Sequence, residues 1–320
     1  MSDDTSLRPL PWEQPQRGGS ASALLSLRKP TSDLDSPDSE AEPDDGPVET
    51  PYRLHRRFDR MGRLVGDAAM RRLLDSHVMV IGLGGVGSWA AEALARAGVG
   101  RLTLVDFDLV CVTNANRQLH AMRGTTGKAK ATVMAERLQL IHPSCAIEGV
   151  RSFYDAETSE DLLARAPDLI VDAIDNLTAK AHLIARCRER ALPLIVSGGA
   201  SGRLDPTQVR VGELGRVTGD PFLAALRKHL RQRHDFPRAA DWGVPAVYSL
   251  EPPAAPLPLA YDGGEGFRCV CPQGDNGKHT CDARNLIYGT AGFVTGSFGF
   301  ACAAEAVRRL SAPADPATAR

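Results

Sequence analysis

No long apolar run occurs in the first twenty of the 320 residues, so a secretion signal is not expected there. The reading is a cytoplasmic protein. Cysteine is sparse and odd in number, seven in all, which argues against a framework of paired disulfides. Those thiols read as buried, metal-bound or reactive. No internal repeat is present. Net charge is nearly absent at −1, but the two ends of the chain differ. Residues 1–50 hold 11 acids against 4 bases, and the other 270 residues hold 34 bases against 28 acids. A basic body with an acidic arm is compatible with an RNA partner. An excess of +6 over 270 residues equally fits a solvated surface.

One uncharged stretch, residues 286–304, is long enough to span a bilayer. It is dominated by small residues, among them Gly289, Gly292, Gly296, Ser297 and Gly299, and its hydropathy is weak. The expectation is close helix packing inside the protein or at a dimer interface. Membrane association through this segment stays open.

Residues 1–50, rich in Pro, Ser, Asp and Glu, read as a disordered acidic arm. Residues 51–320 read as the folded domain, beginning near Tyr52 with Arg56-Arg57-Phe58-Asp59-Arg60 and then a helix through Leu74. Strand patterns then alternate with helix patterns: strands at 77–81, 101–105, 146–150, 168–173 and 194–196, helices at 88–97, 128–141, 159–166 and 179–190. Such alternation predicts an α/β fold: a Rossmann-like parallel sheet with helices on both faces. Beyond it lie a strand or hairpin arm at 203–211, a basic amphipathic helix at 221–233, and a long mobile loop at 237–277 in an irregular C-terminal extension.

The chemistry concentrates where ligands bind such sheets, past the carboxyl ends of the strands. Gly82-Leu83-Gly84-Gly85-Val86-Gly87 joins the first strand to its helix. Nineteen residues after Gly87 the next strand ends in Asp106. Strand, glycine turn, helix, strand and acid together describe a nucleotide site: glycines admit the ligand, the helix N-terminus offers N–H groups to an anion, and the acid takes ribose hydroxyls. The segment from this acid onward is unusually charged: Asp106-Phe107-Asp108, then Asn114, Asn116, Arg117 and Gln118, then Lys128 and Lys130. Nicotinamide chemistry has no use for so much charge beside the phosphates. Cleaving the phosphate chain of ATP does. Asp108 can reach a magnesium ion, Arg117 can grip two phosphate oxygens, and Lys130 brings a point charge to them. Asp175 can complete magnesium binding opposite Lys130. Asp172 reads as structural and Asn176 as a helix cap.

These motifs, with Asp172-Ala173-Ile174-Asp175-Asn176, resemble the adenylating core shared by ubiquitin-activating, thiamine-pathway and molybdopterin-pathway enzymes. Within that superfamily, Cys111-Val112-Thr113-Asn114, residues 88–96, Ser197-Gly198-Gly199-Ala200 and Asp205-Pro206-Thr207-Gln208 resemble the tRNA threonylcarbamoyladenosine dehydratases. The resemblance runs from about Arg57 to Leu310. It implies ATP- and magnesium-dependent activation of the threonylcarbamoyl carboxylate beside the tRNA anticodon, then ring closure with net loss of water. It implies ribose contact at Asp106, phosphate contacts at Asn114, Arg117 and Lys130, and magnesium support at Asp175. Arg60 matches an arginine that reaches into a partner subunit's site, which implies a homodimer. A monovalent cation (Na⁺ or K⁺) and a sulfur-acceptor partner of a cysteine desulfurase are also associated with the family. The resemblance divides the domain into a nucleotide half, about 77–200, and a tRNA-binding substrate half, about 201–310.

Two departures stand out. Family members often carry a cysteine just before the segment Val247-Tyr248-Ser249-Leu250-Glu251; Ala246 stands here. The superfamily's zinc form uses two Cys-x-x-Cys pairs, and this chain has none, so zinc at Cys269, Cys271, His279 and Cys281 is not expected. The missing pairs also weigh against the alternative activity, adenylating the C-terminus of a ubiquitin-like sulfur carrier.

Overall fold

The computed structural model describes residues 51–238, 241–259 and 288–313, with side chains from residue 56 onward. The expected acidic arm and the four residues Cys269, Cys271, His279 and Cys281 lie outside the described residues. The elements in chain order are α1 (Pro51–Val65), α2 (Asp67–Asp75), β1 (His77–Ile81), α3 (Gly87–Arg96), β2 (Arg101–Val105), α4 (Lys130–Ile141), β3 (Ala146–Val150), α5 (Ser159–Leu163), β4 (Leu169–Asp172), α6 (Leu177–Glu189), β5 (Leu194–Ser197), β6 (Val209–Glu213), α7 (Pro221–Arg233), β7 (Pro245–Ser249) and α8 (Gly292–Ser311).

Seven strands form one sheet in the order β3-β2-β1-β4-β5-β7-β6. All neighbours are parallel except β6, which pairs antiparallel with β7. The order reverses between β1 and β4, and there the connections leave toward opposite sides and open a crevice.

Side chains alternate across a strand, so each apolar run serves two cores. Val78 and Val80 of β1, Leu102 and Leu104 of β2, and Leu169 and Val171 of β4 face one cluster, covered by α3, α4 and α8. Met79 and Ile81, Val105, and Ile170 face the other, covered by α5, α6 and α7. Burial on both faces explains why these strands are continuously hydrophobic.

Several expectations are corrected in detail. Helix already covers Arg56–Arg60, and the helix expected through Leu74 is broken at Gly66, with φ 84°, into α1 and α2. The arm at 203–211 begins irregularly. Asp205 caps a short 3₁₀ turn, accepting the Thr207 N–H at 2.8 Å, and pairing starts only at Val209. The 237–277 loop contains β7, a strand inside the sheet. Its five residues are nearly all buried, too short a run to stand out between Gly243 and Pro252.

From Gly292 onward the uncharged segment is a closely packed helix, as its small residues lead one to expect. Val294, Phe298, Cys302, Ala303 and Ala306 of α8 are buried in the core shared with α3. A Cβ on Gly299 would lie 2.6 Å from the Val86 carbonyl oxygen, so the small residues set the helix–helix distance. No helix among the described residues is long and apolar enough to cross a membrane.

Candidate active site

The crevice at the β1–β4 switch encloses about 1050 Å³. Gly82, Gly84 and Gly85, Asp106, Asp108, Asn114, Arg117, Lys130 and Asp175 all line it, although they come from five separate segments. Gly87 stands just behind, as the first residue of α3. Its place admits no side chain, because a Cβ there would lie 1.7 Å from the Gly82 carbonyl oxygen. Gly82 adopts φ 89°, which turns the chain at the end of β1.

Asp106 directly follows β2 and is buried. Its Oδ2 accepts the Leu83 N–H at 2.6 Å, and its Oδ1 accepts the Asp108 N–H at 2.8 Å. The residue expected to bind ribose therefore also holds the glycine turn in register with β2. Each oxygen retains a second lone pair for a hydroxyl. Burial pushes its carboxyl up, against the pull of the Lys130 charge.

Lys130 is the first residue of α4 and only 5% exposed, yet it is charged. Its Nζ donates to Asp108 Oδ2 at 2.8 Å. Burial alone pulls the amine's pKa down. The carboxylates of Asp106 and Asp108, with Asp175 beyond them, outweigh burial and hold it above the ordinary lysine value. Asp108 is 26% exposed, so the pair opens onto the crevice.

Asn114 is buried at the end of a 3₁₀ turn, where its Oδ1 accepts the Cys111 N–H at 3.0 Å. That leaves its amide nitrogen as a donor. Three residues on, the Arg117 guanidinium donates to the Thr113 carbonyl at 2.9 Å and to Asn116 Oδ1 at 3.0 Å. Its backbone carbonyl accepts Trp89 Nε1–H at 3.0 Å, which ties the loop to α3. Asn116 Nδ2 in turn donates to the Thr290 carbonyl at 2.8 Å, bringing the approach to α8 against this loop. Asp175 is exposed on the turn after β4. Asn176 caps α6 as expected, accepting the Ala179 N–H at 3.0 Å.

Arg60 is not brought together with the rest. It stands exposed on α1 and is not among the residues lining the crevice.

Three features escape the sequence. His120 lies buried near Lys130, its Nε2 3.0 Å from Gln118 Oε1. Burial and the neighbouring Lys130 charge push it down to about 3, so it is neutral at working pH. Arg203 and Asp220 form a buried pair at the far end of the crevice, 3.5 Å apart. Arg203 also donates to the carbonyls of Glu251, Gly199 and Ser201, and Asp220 caps α7 by accepting the Leu223 N–H. Asp220 followed by Pro221 is a readable helix start; nothing local links it to Arg203. The third is a fully buried Lys180–Asp172 pair at 2.8 Å.

The helix at 221–233 forms as expected, but two of its bases face inward. Arg227 donates to the Leu214 carbonyl at 3.4 Å, and Arg231 lies over the Trp242 ring at 5.5 Å. Lys228, Arg233 and Arg238 remain exposed.

Residues 58–320 match the ThiF family. The tRNA threonylcarbamoyladenosine dehydratase of Escherichia coli (strain K12) is 40% identical over 261 residues, spanning 81% of this chain and 95% of that protein. A crystal structure of the Escherichia coli tRNA N6-threonylcarbamoyladenosine dehydratase in complex with ATP has a TM-score of 0.68 at 38% identity, covering 80% of this chain and 94% of that one. The Escherichia coli molybdopterin-synthase adenylyltransferase is 41% identical over 162 residues, 48% of this chain and 64% of that protein. The chain thus belongs to the ThiF family, in its tRNA threonylcarbamoyladenosine dehydratase branch.

Proposed function

We propose that this protein uses ATP to cyclise threonylcarbamoyladenosine beside a tRNA anticodon. The observation that carries the reading is the charged Lys130–Asp108 pair opening onto the crevice, framed by the glycine turn, Arg117 and Asp175. A carboxylate is a poor acyl donor, because oxide leaves badly. Attack of the carboxylate on the α-phosphorus of ATP gives an acyl-adenylate and releases pyrophosphate. The ureido nitrogen of the same group then attacks the acyl carbon, AMP leaves, and the ring closes. Proximity on one substrate supplies effective molarity, up to about 10⁵–10⁸ M in well-oriented cases. No covalent enzyme intermediate is needed, which agrees with Ala246, buried in β7, at the position where family members often have cysteine.

Arg117 and Lys130 neutralise the phosphate oxygens as charge builds on the leaving pyrophosphate. When phosphate oxygens arrive, Lys130 has a competing partner, and Asp108 is released toward the crevice. No group of three or more metal-ligating side chains occurs among the described residues. Magnesium fits nonetheless, because it takes one or two carboxylates and fills its shell with water and substrate phosphates. Asp175 would hold it, with Asp108 beside it, and the ion would neutralise charge on the phosphates.

A second copy of the chain would supply Arg60 to the crevice. Its exposure on α1, away from the crevice lining, supports that reading, as do Phe293 and Phe300 of α8, 58% and 51% exposed one heptad apart.

The test is incubation with ATP, magnesium and tRNA carrying threonylcarbamoyladenosine, then mass analysis of the nucleosides. The expected product is lighter than the substrate by one water. An unchanged nucleoside, with ATP–pyrophosphate exchange appearing only when a ubiquitin-like sulfur carrier is added, would overturn the reading in favour of carrier adenylation.

A further inference from the structure

Asp172 and Lys180 carry opposite charges at 0% exposure each, 2.8 Å apart, and neither is itself among the residues lining the crevice. Replacing such a pair with apolar groups of similar shape is often neutral or stabilising, so stability alone does not account for it. Its hydrogen bonds show what else it does. Asp172 is the last residue of β4, and its Oδ1 accepts the Ile174 N–H at 3.0 Å. Lys180, one turn into α6, reaches back to donate to the Asp172 main-chain carbonyl at 3.1 Å. Both ends of the pair thus grip one turn, Asp172-Ala173-Ile174, and the next residue is Asp175.

The same turn supports the glycine loop. The Ala173 N–H donates to the Ile81 carbonyl at 2.9 Å. A Cβ on Gly82 would lie 2.8 Å from the Ala173 carbonyl oxygen, and one on Gly87 would lie 3.2 Å from the Ala173 Cβ. Ala173 is therefore wedged against both ends of the glycine turn. A shift of this turn by a fraction of an ångström moves Asp175 and the phosphate-binding backbone together.

We propose that Asp172 and Lys180 are positioning residues for the metal–triphosphate part of the site: the sealed pair fixes where Asp175 stands relative to the glycine turn. The inference rests on the adenylating function proposed for this crevice. Burial pushes the Asp172 carboxyl up, and the Lys180 charge beside it pulls the other way.

The test compares two nucleotides by calorimetry on the full-length protein. Mg·ATP reports on Asp175 and the full phosphate chain; AMP, which lacks the β- and γ-phosphates, reports on the base, ribose and α-phosphate only. The variant is Asp172→Asn/Lys180→Met, which removes both charges and conserves shape. It is expected to keep its melting temperature within a few degrees, to bind AMP within twofold of wild type, and to bind Mg·ATP at least tenfold more weakly. Lys180→Arg, which retains the charge pair, is expected to stay within threefold of wild type for both. Should the double variant fail to fold, Asp172→Glu makes the same comparison, since it keeps both charges and displaces the turn by one methylene. Unchanged Mg·ATP affinity in a folded variant, or equal losses for AMP and Mg·ATP, overturns the positioning role. Wild-type protein that binds Mg·ATP but leaves the tRNA nucleoside unchanged would instead count against the proposed function, and the binding comparison would still decide the role of the pair.

Discussion

The Lys130–Asp108 and Arg203–Asp220 pairs line one crevice from opposite halves of the sheet. The first is 2.8 Å long, with Asp108 26% exposed. The second is 3.5 Å long and closed, its side chains 2% and 0% exposed. Lys130 has a carboxylate partner that solvent, and hence a ligand, can reach. Arg203 commits its remaining donors to the carbonyls of Glu251, Gly199 and Ser201. In the proposed function the first pair exchanges its partner for a phosphate; the second fastens the loop after β5 to the chain leaving β7. Exposure of one partner, more than the presence of charge, separates a chemical pair from a structural one.

Breaking each pair should give opposite signatures. Arg203→Ala leaves Asp220 buried without its cation and is expected to cost about 3–5 kcal/mol of stability. Urea unfolding checks this, and a loss below about 1 kcal/mol would show that the clamp is not structural. Lys130→Ala is expected to fold but to lower turnover by about 10²–10³, the scale of losing one donor to developing charge. Asp175→Ala, at an exposed position, should do the same with an unchanged melting temperature. Turnover near wild type in either variant would remove that residue from the site.

A subtler difference concerns protons. His120, behind Lys130, is held at about 3, far below its unfolded value near 6.5. The unfolded chain therefore takes up a proton as pH falls through 6.5, while the folded chain does not until about 3. Stability from this group is complete above 6.5 and declines by about 1.4 kcal/mol per pH unit toward 3. His120→Gln should flatten the acid limb by that slope in unfolding at pH 7, 5 and 4. An equally steep limb would mean the imidazole titrates normally.

On α7 and the chain just after it, charge neutralisation of Lys228, Arg233 and Arg238 should weaken tRNA binding without altering ATP affinity. The salt dependence should flatten by about 0.7 log units per decade for each phosphate that the variant no longer neutralises. An unchanged slope would place the tRNA path elsewhere. Least of all should change on removing residues 1–50. The family match starts at residue 58, so turnover and melting temperature are expected to hold. Loss of either would give the arm a structural part.

The nucleotide half was legible because its signals are local. A glycine turn, two acids and a loop of polar residues sit in continuous sequence beside strong strand patterns, and β1, β2 and β3 fall where the apolar runs predict them. The chain after β5 was less so. β7 is five residues long, and its place between β5 and β6 depends on partners dozens of residues away. Arg203 with Asp220, and Lys180 with Asp172, are pairs made by the fold. Nothing local in the sequence marks Lys180, and only packing shows it at 0% exposure. Gly299 and its neighbours gave a true signal of close approach, with the helix partner, α3, left unspecified.

The central claim is that a carboxylate is activated by adenylation, and isotope transfer tests it most directly. With ¹⁸O in the threonylcarbamoyl carboxylate of the tRNA, one labelled oxygen is expected to leave in AMP as the ring closes, with unlabelled pyrophosphate released. Label in orthophosphate, accompanied by ADP, would contradict adenylation, because the carboxylate would then have been phosphorylated at the γ-position.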